Sequence, residues 1–408
     1  MNLALVLPHF APDTAPTGSV MTRIVEELGL RGHRIEVVTA LPWYREHRIE
    51  PGYEGRLVRR EETPWGSVTR VHPFPAGDKR AIVRRAAAFG GFSMLGGLVG
   101  ARGKRLDGVL ALSPPLTLGV TGWTVARRRG APFVFNVQDV FPDVAIGLGV
   151  IENPALVAAA RRLERWCYAR ADAVTVLSDD LRDNVALKTG RPEKVKVIPN
   201  FVDTEAIVPA ERENAYRREH GLAGKTVVMY AGNVGLSQPL DLVVEAAGAL
   251  SHDDDVVFVV NGGGAGRAPL EAAARGLRNV VFVDAQPADR LAEVLAAADV
   301  HLVPLKRGLA RASVPSKTYS ILAAGRPLIA SVDPGSEVAR IVEDAGAGVA
   351  VPPEDPEAFT KAVRHLAEHP AEARAMGSAG RAWVERWASP ARVAEVYEEL
   401  FEGLARRR

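Results

Sequence analysis

Residues 314–331, VPSKTYSILAAGRPLIAS, contain the clearest chemical pattern in the sequence. Pro315 and Ser316 predict the start of a helix, because proline suits the first helical positions and serine caps free backbone N–H groups. Lys317 then falls in the first turn, where its positive charge opposes the helix dipole. A bound phosphate explains this placement, because the ammonium and the backbone N–H groups can both face it. A solvent-facing lysine is the alternative.

Three glycine-containing loops each follow a short apolar run and precede a helix-period segment. They are APTGS (15–19), AGNVGLSQPLDLVVEAA (231–247) and NGGGAGR (261–267). Such loops let the backbone approach an anion closely, although glycine at a strand–helix junction also has purely steric causes. None of them matches the pattern G-x-x-x-x-G-K-[ST], so a P-loop nucleotidase is disfavoured.

Polar side chains follow two of the apolar runs in the first half of the chain. NVQDVFPD (136–143) places Gln138 and Asp139 directly after one run, and His9 follows the first run. Ligands bind outside the carboxyl ends of parallel strands, so these residues are candidates for a binding or catalytic site. The alternatives are a helix cap for Asp139 and a structural role for His9.

Apolar runs and helix-period segments alternate along the chain, which indicates βαβ units and parallel sheets. The runs form two series, 3–8, 35–40, 108–112, 132–139, 173–178 and 195–203, then 226–232, 255–263, 279–285, 299–305, 326–332 and 348–353. We therefore predict an α/β protein with two doubly wound Rossmann-like domains, residues 1–205 and 206–385. A helical segment, 386–408, follows and could return to the first domain.

Composition restricts the class of protein. The 408 residues are 47% hydrophobic and 25% charged with a net charge of +2, which excludes wholesale disorder and gives nucleic-acid binding no support. No apolar run approaches the ~20 residues of a membrane-spanning helix, and the first residues show no signal peptide. A single cysteine, Cys167, is typical of a reducing compartment, so we expect a cytoplasmic location.

Residues 79–105 differ from the rest of the chain in charge. They contain seven Lys or Arg and no acidic residue, around an apolar, glycine-rich centre. This composition is typical of a segment that contacts anionic lipid at a membrane surface. A helix packed on the first domain, with basic ends, is the alternative.

In this order and spacing, the stretches resemble the retaining GT-B glycosyltransferases of family 4, most closely the branch that builds bacterial surface polysaccharides of the colanic acid and O-antigen type. The resemblance covers nearly the whole chain. It is carried by PHFAPDTAPTGS, RGHRIEVVT, LSPPL, NVQDVFPD, VIPNFVD, YAGNVGLSQPL, NGGG, DVHLVPL and VPSKTYSILAAGRPLIAS. It implies two domains facing a cleft, with a nucleotide-diphosphate sugar in the C-terminal domain and an acceptor hydroxyl presented by the N-terminal domain.

The resemblance also implies the reaction. A hexose or N-acetylhexosamine, carried by a UDP-sugar, is transferred with retention to a glycan, lipid-linked or small-molecule acceptor, without a metal or other cofactor. Because a diphosphate departs from an oxocarbenium-like sugar, positive groups matter more than a strong base. Two alternatives stay open: an epimerase or phosphorylase of the same fold, and a non-catalytic subunit that binds a nucleotide sugar.

Residue by residue, the resemblance implies a donor site and an acceptor side. The donor site comprises Gly18, Ser19, Asn233, Gln238, Gly262, Gly263, Gly264, Ser316, Lys317, Thr318 and Ser320. The acceptor side comprises His9, Gln138 and Asp139, where Gln138 stands at the position of the family's cleft histidine. The catalytic candidates are Asp139, His9 and Lys317.

The chain departs from the family pattern at the donor site. Many members carry an arginine and a lysine at the positions of Asn233 and Gln238, so phosphate neutralisation shifts onto Lys317. The family's paired glutamates, which hold the donor sugar and the ribose, fall on Ala312 and Ser320. Neither residue has a carboxylate.

Metal independence is the first testable prediction. The cluster HDDDV (252–256) could suggest Mg²⁺ or Mn²⁺, but it precedes a strand and lies at the edge away from ligands. We expect sugar transfer to survive EDTA, and replacement of Asp253, Asp254 and Asp255 by Asn to leave the rate nearly unchanged. Loss of turnover on chelation, restored by added Mg²⁺ or Mn²⁺, would contradict this expectation.

Overall fold

The computed structural model describes residues 1–44, 48–74, 82–387 and 389–406. The described residues divide into two compact units, one formed by Met1–Asn200 together with the C-terminal residues from Pro390, the other by Phe201–Ser389. The contact boundary therefore falls five residues before the predicted one at 205/206. Residues 79–81 of the basic segment lie outside the described residues, and so do the side chains of residues 82–88.

The first unit contains an eight-stranded sheet. Its strands are β1 (Asn2–Val6), β2 (Arg34–Ala40), β3 (Val58–Thr63), β4 (Gly66–Val71), β5 (Gly108–Ser113), β6 (Phe133–Val137), β7 (Ala173–Val176) and β8 (Val195–Val197). They are ordered β3-β4-β2-β1-β5-β6-β7-β8, and every pair is parallel except β3–β4. The antiparallel hairpin β3–β4 was not predicted, because its outer strand alternates exposed and half-buried residues and lacks an apolar run.

Seven helices of the described chain belong to this unit. They are α1 (Pro16–Leu30), α2 (Ile82–Gly100), α3 (Thr117–Arg129), α4 (Asp143–Gly147), α5 (Pro154–Arg170), α6 (Asp179–Thr189) and α15 (Pro390–Ala405). The last of these packs against α1. Within the described ranges, no helix is both long and apolar enough to cross a bilayer.

Alternation along β5 sends its side chains to helices on opposite faces of the sheet. A Cβ added to Gly108 would lie 2.3 Å from the ring of Phe401 in α15. A Cβ added to Gly122 in α3 would lie 2.5 Å from Ala111, three residues further along β5. The side chains at positions 108 and 111 point to opposite faces, so α3 and α15 cover different sides of the sheet.

The second unit contains a six-stranded sheet in which every pair is parallel, ordered β11-β10-β9-β12-β13-β14. Its strands are β9 (Thr226–Ala231), β10 (Val256–Asn261), β11 (Val280–Val283), β12 (Val300–Pro304), β13 (Leu328–Ser331) and β14 (Gly348–Val351). Its helices are α7 (Ala215–Glu219), α8 (Asp241–Ala249), α9 (Arg267–Ala273), α10 (Leu291–Ala296), α11 (Lys317–Ala323), α12 (Glu337–Ala345), α13 (Pro356–Glu368) and α14 (Pro370–Trp387).

Period-2 alternation also divides the core of this unit. Val228 and Tyr230 of β9 pack with the side chains of α8 and α13. Val227 and Met229 face the other way and pack with side chains of α7 and α10. Both faces of the sheet are therefore covered, which leaves the ends of the strands as the places where polar chemistry can collect.

Candidate functional site

Three loops at the carboxyl edge of the second sheet are tied together by backbone hydrogen bonds. In the loop after β9, Val234 N donates to the Gly263 oxygen at 2.8 Å, and Gly266 N of the loop after β10 donates to the Val234 oxygen at 2.9 Å. The loop after β12 joins them through Lys306 N, which donates to the Ser237 oxygen at 2.9 Å. The ends of three neighbouring strands thus present one connected surface.

The glycines of NGGG are explained by this pairing of loops. Gly262 and Gly264 have φ angles of +144° and +146°, and added Cβ atoms would lie 2.0 Å from the Gly232 oxygen and 2.4 Å from the Val234 oxygen. Backbone approach therefore requires glycine at both positions, with or without a phosphate. Gly263 differs, because a Cβ there would meet no atom within 4 Å.

Lys317 is the first residue of α11, and its side chain turns inward. Its Nζ lies 3.6 Å from the centroid of the Tyr230 ring, is shielded from solvent and has no hydrogen-bond partner among the described residues. Burial lowers the pKa of this ammonium to about 7. The solvent-facing alternative is therefore wrong. The next side chain, Thr318, is also buried, with an unpartnered hydroxyl.

Tyr230 is a site residue that the sequence analysis missed. Its hydroxyl donates to the Asn233 oxygen at 2.6 Å, and its ring faces the Lys317 ammonium. Gly232 completes the arrangement, since a Cβ there would lie 3.0 Å from Lys317 Nζ. An aromatic residue at the end of a buried strand is too common to have been singled out. An ammonium held over an aromatic face, with its N–H groups unpaired, is a binding group for an anion.

The amides that replace the family's arginine and lysine lie in the loop after β9. Gln238 Oε1 accepts from Gly235 N at 3.2 Å, and its Nε2 donates to Ser237 Oγ at 2.7 Å. Asn233 is exposed, and its Nδ2 would lie 2.8 Å from a Cβ added to Gly235, which would also lie 2.9 Å from Gln238 Oε1. Gln238 therefore shapes the loop, and Asn233 is the amide with an accessible side chain.

The remaining donor-site candidates flank α11. Ser316 is the N-cap residue but is exposed and makes no side-chain cap, in contrast to the predicted serine cap. Ser320 is half-buried on α11 and Ala312 is buried, so no carboxylate stands at either position. The loop after β12 supplies two exposed cations instead, Lys306 and Arg307, which the sequence analysis did not single out.

In the first unit, His9 is held by a buried carboxylate. Its Nδ1 lies 2.7 Å from Oδ2 of Asp13, and Asp13 Oδ1 accepts from Tyr44 N at 3.2 Å. A carboxylate only accepts, so Nδ1 carries the proton and Nε2 is the free acceptor of the ring. Trp43 stacks on the imidazole with centroids 5.7 Å apart. The spacing of His9 and Asp13 in the loop after β1 was the available signal for this pair, and it was missed.

Gly18 lies directly beneath this histidine. It is a buried residue of α1, and an added Cβ would lie 2.9 Å from His9 Cβ and 3.2 Å from the His9 carbonyl carbon. Close packing of α1 against the preceding loop therefore explains the glycine. Ser19 is exposed, and its Oγ lies 3.5 Å from the Ala15 oxygen. Proximity of Gly18 and Ser19 to a donor diphosphate stays a prediction.

Gln138 does not face solvent. Its side chain is 4% exposed, its Nε2 donates to Asn136 Oδ1 at 2.7 Å and its Oε1 accepts from Asn200 Nδ2 at 2.9 Å. Asn136 in turn donates to Thr175 Oγ1 and to the Tyr397 hydroxyl. Contrary to the sequence interpretation, Gln138 belongs to a buried amide network that ties β6 to its neighbours, because both ends of its amide are already bonded.

Asp139 is half-buried at the carboxyl end of β6. It does not cap the next helix, since α4 begins at Asp143 with Pro142 as its N-cap residue. Strands β1, β5 and β6 are neighbours in the sheet and run parallel, so their carboxyl ends lie at the same edge. His9 follows β1 and Asp139 follows β6, so both lie at that edge. They are the two acceptor-side candidates that the fold places at this edge.

No group of three or more His, Cys, Asp or Glu that could hold a metal ion occurs in the part of the chain that the structure describes. The cluster at 252–256 lies at the amino end of β10, where Lys225 Nζ is 3.3 Å from Asp255 Oδ1 and Asp253 accepts from Asp255 N. Its contacts are those of a turn. Metal independence stays a prediction for solution measurement.

Residues 17–200 match the glycosyl transferase 4-like domain, and residues 225–369 match the glycosyl transferases group 1 domain. The colanic acid biosynthesis glycosyl transferase WcaI of Escherichia coli K12 is 30% identical, with 87% of this chain and 89% of that protein covered. The chain belongs to the family 4 GT-B glycosyltransferases, in the surface-polysaccharide branch. The glycosyltransferase WbjE of Pseudomonas aeruginosa is also 30% identical to it, over 72% of this chain and 75% of that protein.

Other relatives of this glycosyltransferase use a named donor. A GDP-mannose-dependent alpha-mannosyltransferase of Mycobacterium tuberculosis is 27% identical, over 74% of this chain and 72% of that protein.

Among solved structures, sucrose-phosphate synthase of Thermosynechococcus elongatus has a TM-score of 0.79 at 19% identity and full coverage of both chains. Anabaena HepE, in complex with UDP-glucose, has a TM-score of 0.73 at 14% identity, covering 99% and 100%. These structures confirm the predicted α/β GT-B fold with two Rossmann-like domains.

The His9–Asp13 pair generates a prediction about stability. Asp13→Ala leaves the His9 Nδ1–H and the Tyr44 N–H without their acceptor, and we expect it to lower the free energy of unfolding by about 1–3 kcal/mol. Urea denaturation measures the change. Thr14→Ala is the matched control, because Thr14 lies in the same loop with an exposed side chain. Equal stability of the Asp13→Ala and Thr14→Ala variants would show that the pair does not hold this loop.

Proposed function

We propose that this glycosyltransferase transfers a hexose or N-acetylhexosamine from a UDP-sugar, with retention and without a metal, to a hydroxyl of a glycan, lipid-linked or small-molecule acceptor. The observation that carries the proposal is the shielded ammonium of Lys317 at the carboxyl edge of the second sheet, which has no hydrogen-bond partner in the described part of the chain. The bond between the anomeric carbon and the diphosphate breaks in this reaction, and negative charge grows on the departing oxygen. A cation in a site with little water stabilises that charge more than it could in bulk solvent.

The surroundings of Lys317 support a diphosphate rather than a carboxylate partner. Asn233 and the exposed Lys306 border the same connected loops, so several donors converge on this edge. A diphosphate offers oxygens enough for all of them, whereas one carboxylate does not. The buried hydroxyl of Thr318, which has no hydrogen-bond partner among the described residues, belongs to the same helical turn as Lys317.

On the acceptor side we propose His9 and Asp139 as the residues nearest the reacting hydroxyl. The bond from His9 Nδ1 to Asp13 leaves Nε2 able to accept that hydroxyl's proton. The residue that accepts this proton needs only moderate basicity. The diphosphate is a good leaving group, so breaking its bond to the anomeric carbon does not depend on a strong base. Location in the cytoplasm, with contact at the membrane surface, belongs to the same proposal, since nucleotide sugars are cytoplasmic substrates.

Release of the nucleotide tests the function. The purified full chain is incubated with UDP-glucose, UDP-N-acetylglucosamine or GDP-mannose, and free UDP or GDP is measured with and without added bacterial lipid extract. We expect release from a UDP-sugar, increased by the extract. Nucleotide release from GDP-mannose only would show that the donor carries guanosine instead of uridine. Binding without release would favour the non-catalytic alternative, and sugar 1-phosphate formed with inorganic phosphate would favour a phosphorylase.

The buried ammonium of Lys317 predicts the direction in which the affinity for UDP-glucose changes with pH. Its pKa falls from 10.5 to about 7 on burial, and a bound diphosphate should raise it again by favouring the charged form. Binding of UDP-glucose should therefore take up a proton above pH 7. Its affinity should fall as the pH rises, by up to about tenfold per pH unit. Titration calorimetry in buffers of different ionisation enthalpy measures both effects.

Variants separate this charge from general effects on the site. Lys317→Met should weaken binding of UDP-glucose by about 10- to 150-fold, which corresponds to a charge-assisted contact of ~1.5–3 kcal/mol, and should remove the pH slope. Lys361→Met, at an exposed position of α13, is the control and should change neither. A Lys317→Met variant with the affinity and pH slope of the wild type would remove Lys317 from the donor site.

A further inference from the structure

The outward surfaces of α2, α3 and α5 form one continuous side of the first unit, here called the α2–α3–α5 face. Ser93 of α2 donates to Thr117 of α3 at 2.7 Å, and Trp123 of α3 meets Trp166 of α5 with ring centroids 5.3 Å apart. The three helices therefore lie side by side. Sequence analysis considered only the segment 79–105, because α3 and α5 join it through packing alone.

This face exposes apolar side chains that nothing in the described chain covers. Met94 and Leu98, one turn apart on α2, are 70% and 55% exposed, and Val120 on the adjacent α3 is 38% exposed. Next to them, Trp123 and Trp166 are half-buried. Single exposed apolar residues are ordinary, but a set on neighbouring helices indicates a surface with a partner.

The same face is strongly cationic. Exposed cations occur in the segment after α2, at the end of α3 and along α5, and include Arg102, Lys104, Arg105, Arg127, Arg128 and Arg170. None of these six has an ion-pair partner within the ranges that the structure describes. Their charges are therefore open to an external partner.

Carboxylates are absent from the outward side of these helices. The three helices contain one acidic residue, Glu164, which is 1% exposed and bonded to Lys188 at 2.7 Å. The segment after α2 adds the half-buried Asp107, whose Oδ2 accepts from Asn2 N at 2.6 Å. The whole chain has nearly balanced charge, with 51 Lys and Arg against 49 Asp and Glu. This face is thus basic although the chain as a whole is nearly neutral.

We infer that the α2–α3–α5 face docks on the surface of an anionic phospholipid bilayer. The cations complement lipid phosphates, and Met94 and Leu98 can insert at the headgroup boundary, where a soluble polyanion would leave them in water. Arg170 supports this assignment: its guanidinium lies 5.6 Å and 5.7 Å from the Trp123 and Trp166 centroids, which places charge beside interfacial aromatic rings.

The inference rests on the proposed function in one respect, namely that a lipid-linked acceptor would be met at this surface. Binding to lipid is nevertheless measured without any sugar transfer. A failure of lipid binding and a failure of catalysis are therefore separate results.

Vesicle co-sedimentation of the full chain tests the inference. Vesicles of phosphatidylcholine with about 30 mol% phosphatidylglycerol should bind the chain at ~50 mM salt and release most of it at ~300 mM, because the salt screens the charges. Pure phosphatidylcholine should bind weakly. Arg127→Glu with Arg128→Glu should reduce binding at least tenfold, since each cation near the surface contributes about 1 kcal/mol.

Two further variants and a control locate the contact. Met94→Ser with Leu98→Ser should weaken vesicle binding but leave retention on heparin unchanged. Arg364→Glu with Arg374→Glu reverses two exposed arginines of the second unit and should leave vesicle binding as in the wild type. All variants should keep the wild-type circular dichroism spectrum and affinity for UDP-glucose. These two measurements detect unfolding separately from loss of docking.

Two outcomes would overturn the inference. One is a wild-type chain that does not sediment with the anionic vesicles at low salt, including one that binds heparin alone. The other is vesicle binding that the substitutions on the α2–α3–α5 face leave unchanged. Quenching of tryptophan fluorescence by brominated lipid gives an independent check. The quenching should drop when Trp123 and Trp166 are both replaced by Phe.

Discussion

The position of one ammonium group organises the candidate donor site. Lys317 Nζ lies over the Tyr230 ring and against the backbone of Gly232, shielded from water and without an anionic partner among the described residues. Leaving a charged group unpaired at such a place is costly, and the burial that causes the cost also lowers its pKa. In the proposed donor site a diphosphate would supply the missing negative charge and offset this cost. Such a difference between the empty and the occupied site is what binding of a leaving group requires.

Close backbone packing within each unit explains glycines that otherwise resemble phosphate-binding motifs. Gly262 and Gly264 are needed because the loops after β9 and β10 approach each other closely, and Gly18 is needed because α1 packs against His9. In each case the steric demand of the fold accounts for the glycine. The rigid loops that result hold Asn233 in one unit and His9 in the other at the carboxyl edges of their sheets, as preorganised chemistry requires.

Buried and exposed charged groups of the first unit differ in their pairing. The buried Glu164 is paired with Lys188, whereas Arg102, Lys104, Arg105, Arg127, Arg128 and Arg170 have no ion-pair partner among the described residues. A chain with nearly zero net charge can thus carry a strongly basic surface on one side. The proposed catalytic and docking groups occupy separate parts of the unit: His9 and Asp139 follow the ends of strands, and the arginines lie on and after the helices.

The sequence by itself predicted the fold class, every strand except β3 and β4, and the position of Lys317 in the first turn of a helix, because apolar periodicity and a lysine after a helix-start signal are local patterns. Tertiary structure decided what those residues touch. Tyr230 and Asp13 were missed, and Gln138 was assigned to a surface instead of a buried network, because their roles depend on neighbours distant in sequence. The basic face likewise emerged only when α3 and α5 packed beside α2. Side-chain contacts across elements have no signature along a single chain, so only the folded arrangement specifies them.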